Sequence, residues 1–226
     1  MSKKAWAIVV TVAVLAFFMA GVDGFLKPPY FIKSAIKILL FLSGIFAYFY
    51  CNKSDFQEFK KLFKPNKKGI LLGLGLGGIC YLGIVGGYLL LKDVIDFSNV
   101  TKSLTADIGV NADNFLWVSL YISFCNSALE ELFFRAFAFA TLKSQTKHLT
   151  AGLFSAVIFS LYHIGMTLGW VEIWVFLAGL AGLVLGGAIF NLLTKKFNSL
   201  YPSWLTHMFI NFGINTVGFM LFGLVN

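Results

Sequence analysis

The stretch Asn126–Phe137, NSALEELFFRAF, sets Glu130, Glu131 and Arg135 inside a run from Phe115 to Leu142 that is otherwise apolar and long enough to cross a bilayer. A charged side chain at the centre of a membrane costs about 2.5–3.5 kcal/mol on insertion scales, so such a cluster needs partners and marks a functional site. On a helix Glu131 and Arg135 are four apart and share one face, with the acid N-terminal to the base, the favourable order for an ion pair. Glu130 is turned by about 100° from Glu131. Arg135 is therefore expected to neutralise Glu131 and leave Glu130 for chemistry.

The rest of the chain fits a membrane setting. Of 226 residues 58% are hydrophobic and 12% charged, against about 25% charged in soluble domains. The composition implies an all-α polytopic membrane bundle. The net charge of +8 does not point to nucleic acid, because the cations are almost all lysines placed between apolar spans, where they set topology and meet anionic lipid. Arg135 is the only arginine, and it lies inside a span. Cys51, Cys80 and Cys125 are odd in number and suggest neither a disulfide framework nor a CxxC metal site. The N-terminal run reads as a retained first span rather than a cleaved signal, since the large Phe18 stands where a cleavage site ending at Ala20 wants a small residue.

Taking about 20 apolar residues per crossing, seven spans are expected: 5–22, 31–51, 70–91, 115–142, 150–168, 172–193 and 203–224. An eighth embedded piece follows if the 93–114 connection dips in. The chain divides into N-terminal helices, 1–114, with an amphipathic inner loop at 52–68, and a catalytic core, 115–226. Twelve lysines fall in one set of alternating connections (Lys3, Lys4, Lys53 to Lys68, Lys143, Lys147, Lys195, Lys196), and Lys27, Lys92 and Lys102 in the other with most of the acids, Asp23 included. The positive-inside rule then puts the N-terminus inside. In SDFQEFKKLFKPNKK, Phe56, Phe59, Leu62 and Phe63 recur at helical spacing among lysines, as in a helix lying on the inner leaflet and ended by Pro65. The glycine pairs Gly73/Gly77, Gly83/Gly87 and Gly182/Gly186 are expected to form small-xxx-small packing faces. They do not form a dinucleotide loop, which needs a strand before it and an acid after it.

Two of the three histidines, His163 and His207, also fall within spans, and His207, Asn211 and Asn215 recur every four residues as one polar stripe. Such a stripe must face other helices or a wet cavity. Glu130, His163, His207 and Asn211, on three spans, are expected to converge.

EELFFR at 130–135, FSLYH at 159–163 and HMFIN at 207–211 match, in order, EExxxR, FxxxH and HxxxN. With this set the sequence resembles the CPBP intramembrane protease family, also called Abi, which takes in CAAX prenyl endopeptidases of the Rce1 type and bacterial bacteriocin-processing or immunity proteins. The resemblance covers about 115–224; Ala136 departs from the glycine common after the arginine. It implies a peptide or membrane-protein substrate, and its roles agree with the chemistry of the groups. Glu130 acts as general base on a water that His163 orients, His207 and Asn211 donate to the developing oxyanion, and Glu131 with Arg135 supports the helix. Glu130, His163 and His207 are also chemically suitable zinc ligands. The family is often labelled a metalloprotease, so hydrolysis with and without zinc both stand. Two other functions compete: a non-catalytic immunity or regulatory partner, and a proton-coupled transporter. One arginine against 17 lysines fits an AT-rich bacterial genome, and with it a bacterial cell membrane.

Overall fold

The computed structural model describes residues 1–225, whose secondary structure is helical throughout, joined by short turns, with no strand among the described residues. Helix α1 (Lys3–Gly21) is capped by Ser2, whose Oγ accepts from Ala5 N at 3.1 Å, and continues into a π-helical turn, Val22–Leu26. Lys27, at φ 43°, reverses the chain before the two prolines that open α2 (Tyr30–Cys51). Then come α3 (Lys53–Lys61), α4 (Lys67–Leu91) and α5 (Ser98–Ile108). One continuous helical rod follows, here called the motif helix: α6 (Phe115–Tyr121), a π segment (Ile122–Asn126), α7 (Ser127–Glu130) and a second π segment (Glu131–Thr141). Helices α8 (His148–Tyr162), α9 (Ile164–Thr167), α10 (Ile173–Phe197) and α11 (Tyr201–Leu221) complete the chain.

Five helical segments are long and apolar enough to cross a membrane: Lys3–Leu26, Tyr30–Cys51, Lys67–Leu91, His148–Thr167 and Ile173–Phe197. The other two of the seven expected spans do not meet that test. The motif helix carries Glu130, Glu131 and Arg135, and α11 carries the polar stripe of His207, Asn211 and Asn215. Both turn their polar groups inward, so their place in the bundle comes from packing rather than from apolarity. The 93–114 connection forms the 11-residue α5, far short of the ~20 residues a crossing needs.

The motif helix forms the centre. Phe133, Phe134 and Phe137 are fully buried, and Phe41 of α2 stacks on Phe133 with centroids 3.9 Å apart and planes at 8°. Helix α1 turns Ala5, Ile8, Val12, Ala16 and Met19 into the same core. The period of these buried positions is that of a helix with one face inward.

Helix α4 lies against α11 because its glycines leave no side chain between the backbones. A Cβ at Gly73 would come 2.6 Å from Pro202 O, and one at Gly77 would come 2.7 Å from Phe209 Cβ. The other expected glycine faces are corrected: Gly83, Gly87, Gly182 and Gly186 have nothing within 4 Å of a built Cβ, and in α10 it is Gly187 that approaches Ala156 Cα, at 3.1 Å. Spacing alone marks a possible face, and the helix crossing decides which face is used.

The lysine-rich segments gather at one end of the bundle. Lys4 Nζ meets Asp55 at 3.0 Å, Ser2 Oγ reaches Gln145 at 3.4 Å, Ser199 Oγ donates to Lys64 O at 2.8 Å and Leu200 N to Leu62 O at 2.9 Å. Helix α3 lies across this end. Its Phe59 and the following Leu62 are buried against the bundle, while Phe56 and Phe63 remain partly exposed. Phe59 packs on Phe49 at 4.6 Å. Asp55 anchors it by accepting from Tyr48 Oη at 2.8 Å and from Lys4. At the opposite end Lys27 pairs with Asp107 at 2.7 Å. Asp23, expected in an exposed connection, is instead buried and paired with Lys33 of α2 at 3.0 Å, because the π turn at 22–26 keeps it on the helix.

Two predictions follow from this packing. Gly73→Val forces a side chain into the Pro202 backbone and should destabilise the bundle by about 1–3 kcal/mol, the usual cost of overpacking, whereas Gly83→Ala should leave the melting temperature unchanged in a thermal-unfolding assay. The second concerns Asp55. Burial alone pushes its carboxyl up, but hydrogen bonds from Tyr48, Lys4 and Ser54 outweigh that and hold it below the usual carboxylate range. A depressed folded pKa contributes stability above the unfolded value of about 3.9, and that stability is lost as pH falls through the folded value. Protection of the α3 amides relative to their intrinsic exchange rates should therefore fall as pH is lowered below about 4, and Asp55→Asn should abolish that dependence.

Candidate active site

The two π segments flank α7, which ends at Glu130, and Glu131 opens the second of them. A π turn holds one more residue than an α turn and is frequent at functional sites. Here Thr141 Oγ1 reaches Ala136 O, five residues back, at 2.9 Å. The first π segment opens polar backbone toward α11. Asn211 Nδ2 donates to Ile122 O at 3.1 Å, and Asn215 Nδ2 donates to Ser119 O and Ser123 Oγ, both at 3.0 Å. The polar stripe of α11 thus faces the motif helix.

Glu130 is almost wholly buried, at 2% exposure, and its two oxygens have different surroundings. Oε1 accepts from Asn126 Nδ2 at 3.0 Å, Lys37 Nζ at 3.2 Å and Tyr162 Oη at 3.3 Å. Oε2 faces His207 Nε2 at 3.7 Å. The neighbouring Glu131 turns Oε1 to His207 Nδ1 at 3.1 Å and to Arg135 Nε at 3.4 Å. An ionised carboxylate can only accept, so His207 donates through Nδ1. In the neutral imidazole Nε2 is then the unprotonated nitrogen and the one that looks toward Glu130. The ring is stacked on Phe190, with centroids 5.3 Å apart, and meets Phe159 edge-on.

Arg135 is completely buried. Its guanidinium lies over the rings of Phe159, Phe190 and Phe134 at 4.1, 4.9 and 5.9 Å. Cation–π attraction strengthens when the cation is desolvated, to about 2 kcal/mol or more. The arginine is thus balanced by one carboxylate and a cage of aromatic faces.

Of the residues singled out from the sequence, Glu130, Glu131, Arg135 and His207 form one contact network. His163 stands beside it, at the C-terminal end of α8, with Nδ1 2.7 Å from Phe159 O and its ring 4.9 Å from that of Tyr162. Its ring nitrogens form no ion pair or hydrogen bond with Glu130. Asn211 spends its amide contact on the backbone of Ile122.

Arg135 pairs with Glu131, as the spacing led one to expect, and Glu130 has a counter-charge of its own that the sequence reading did not assign, Lys37 from α2. Sequence reading passed over Lys33 and Lys37, although two lysines four apart in the apolar run IKSAIKILL are themselves a signal of buried partners. Asn126, one turn before Glu130, and Tyr162, beside His163, were equally visible and unassigned.

The proposed metal set fares differently. Zinc needs three or four ligands converging at about 2 Å. Among the described residues no group of three His, Cys, Asp or Glu side chains is placed to hold a metal ion. Glu130 and His207 face each other, His163 has only Nδ1 tied to its own backbone and is not paired with Glu130, and the Lys37 ammonium competes for Glu130. As placed, these side chains do not form a zinc ligand set, and no chemical step is derived through a metal.

Beside the network a cleft of about 380 Å³ is lined by Phe63, Leu129, Glu131, Leu132, Tyr201 and Trp204. Trp204 is held there by Nε1 donating to Ser127 Oγ at 3.0 Å.

No curated protein and no solved structure matches the chain. Residues 112–213, a little under half of the chain, match the model of the family described as type II CAAX prenyl endopeptidase Rce1-like, and this segment holds Glu130, Glu131, Arg135, His163, His207 and Asn211. Over residues 112–213 the chain is thus similar to the Rce1-like family, within the CPBP proteases.

Proposed function

We propose that the protein is an integral membrane endopeptidase of CAAX-protease type that hydrolyses a peptide bond with water activated by Glu130. The observation that carries this reading is the buried carboxylate Oε2 of Glu130 facing the imidazole of His207 at 3.7 Å, within a segment that matches a protease family. A water between the two gives one proton to Glu130 as its oxygen attacks the scissile carbonyl. When the C–N bond breaks, the protonated Glu130 passes that proton to the leaving amine, and the carboxylate is restored. Glu131 holds His207 in one tautomer through Nδ1. Asn211 of the polar stripe lies along the side where charge develops on the carbonyl oxygen, the second N–H of its amide being the donor; His207, expected to share that role, has its N–H given to Glu131. Tightening of such contacts in the substrate complex is normal for sites seen without substrate. His163, with Nδ1 committed to Phe159 O, keeps Nε2 for the incoming water or peptide.

The substrate on this reading is an apolar peptide or membrane segment that enters through the cleft beside Trp204. The gathering of lysine-rich segments at one end supports placing that end, with the N-terminus, on the cytoplasmic side of a bacterial membrane. The crossings then number seven, with the motif helix and α11 spanning by virtue of their packed polar faces.

A second reading draws on the buried pairs Asp23–Lys33 and Lys37–Glu130, since intramembrane acid–base chains also serve proton-coupled transporters. Cleavage of a quenched peptide library by the purified protein separates the two. Glu130→Gln should lower the rate about 10²–10⁴-fold, the usual contribution of a general base, with the thermal transition retained. Loss of proton flux in liposomes without any wild-type cleavage would favour transport.

Glu131→Gln should behave differently. It leaves the Arg135 guanidinium without its carboxylate, and breaking a buried pair on one side costs about 3–5 kcal/mol. The expected result is less folded protein in the membrane fraction, measured by detergent-solubilised yield and melting temperature.

A further inference from the structure

Three donors from three helices converge on Oε1 of Glu130, and none of them belongs to the motif residues. Lys37 comes from α2, Asn126 from the turn before Glu130, and Tyr162 from the end of α8. They are also tied to one another. Lys37 Nζ donates to Asn126 Oδ1 at 2.8 Å, which fixes the amide so that its Nδ2 points at Glu130, and it lies 5.1 Å from the centre of the Tyr162 ring. Lys37 lies outside the matched segment 112–213.

We infer that Lys37, Asn126 and Tyr162 are a positioning clamp that commits Oε1 of Glu130 to the protein and leaves Oε2 as the oxygen that takes the proton from water. The inference rests on the endopeptidase reading and deepens it. A carboxylate offers about four lone-pair sites over its two oxygens, and three donors on Oε1 exhaust that side. Oε2 accepts no hydrogen bond: its neighbour at 3.7 Å is His207 Nε2, which in the neutral imidazole is unprotonated once Nδ1 donates to Glu131. A water there donates to both acceptors, which holds its oxygen lone pair outward toward the carbonyl. The ammonium of Lys37 lets Glu130 sit as an anion in the apolar interior, and the amide and phenol fix the carboxylate's rotation. Without the clamp the carboxylate swings and either oxygen faces the water.

The test uses the full chain in detergent micelles and a quenched peptide that the wild type cleaves. Lys37→Met should lower kcat about 100-fold, the cost of misplacing a reacting group by about an ångström, while KM stays within about threefold. Ethylamine should restore at least about tenfold of the Lys37→Met rate and none of the Glu130→Gln rate. Asn126→Leu changes no charge, so it carries the test if Lys37→Met fails to fold. Its kcat should fall about tenfold at unchanged KM and unchanged melting temperature. Wild-type rates in Asn126→Leu, or in a folded Lys37→Met, overturn the clamp. So does a loss of rate in Lys37→Met that ethylamine leaves untouched and that a lower melting temperature matches. A wild type that cleaves nothing sinks the endopeptidase reading and the clamp together. A wild type that cleaves and is silenced by Glu130→Gln, but not by the clamp variants, sinks the clamp alone.

Discussion

Two adjacent carboxylates buried in one apolar helix repel each other and forgo hydration, so each must be met by its own cation. Glu131 is met four residues further on by Arg135, and Glu130 by Lys37 from another helix. Buried ion pairs are weak contributors to stability in themselves. Their effect is on arrangement: every helix that supplies a counter-charge, a donor or an aromatic face to this pair is held to the motif helix. Helix α2 is held by Lys37 and by Phe41 stacked on Phe133, α8 by Tyr162 and Phe159, α10 by Phe190 and α11 by His207.

The same demand accounts for the two oxygens of Glu130 being unlike. Charge balance and three hydrogen bonds gather on Oε1, and the imidazole stands across from Oε2. His207 is itself fixed by Glu131, which therefore links Arg135 to the side of Glu130 where chemistry is proposed. The adjacent glutamates are one device with two parts, one oriented by an arginine caged in phenylalanines and the other by a lysine reaching in from α2. The π segments on either side of α7 belong to this device, because they turn the polar backbone and side chains of the motif helix toward α11.

The sequence by itself determined the helical membrane class, the helix positions to within a few residues, and the cluster of Glu130, Glu131 and Arg135. It could do so because apolar run length and i,i+4 spacing are local properties, written along a single helix. Gly73 and Gly77 were legible for the same reason, but the sequence had no way to separate them from Gly83, Gly87, Gly182 and Gly186, whose spacing is the same. Which glycine face meets a neighbour depends on where α11 and α8 cross, and that is a property of the pair. Only the tertiary structure decided that Lys37 and Tyr162 reach Glu130 from separate helices, that Asp23 is buried on Lys33, that His207 bridges the two glutamates, and that His163 stands aside from a ligand set. Contacts between residues from ten to some ninety positions apart arise from helix packing, where a fraction of a turn in rotation moves a side chain from partner to bystander.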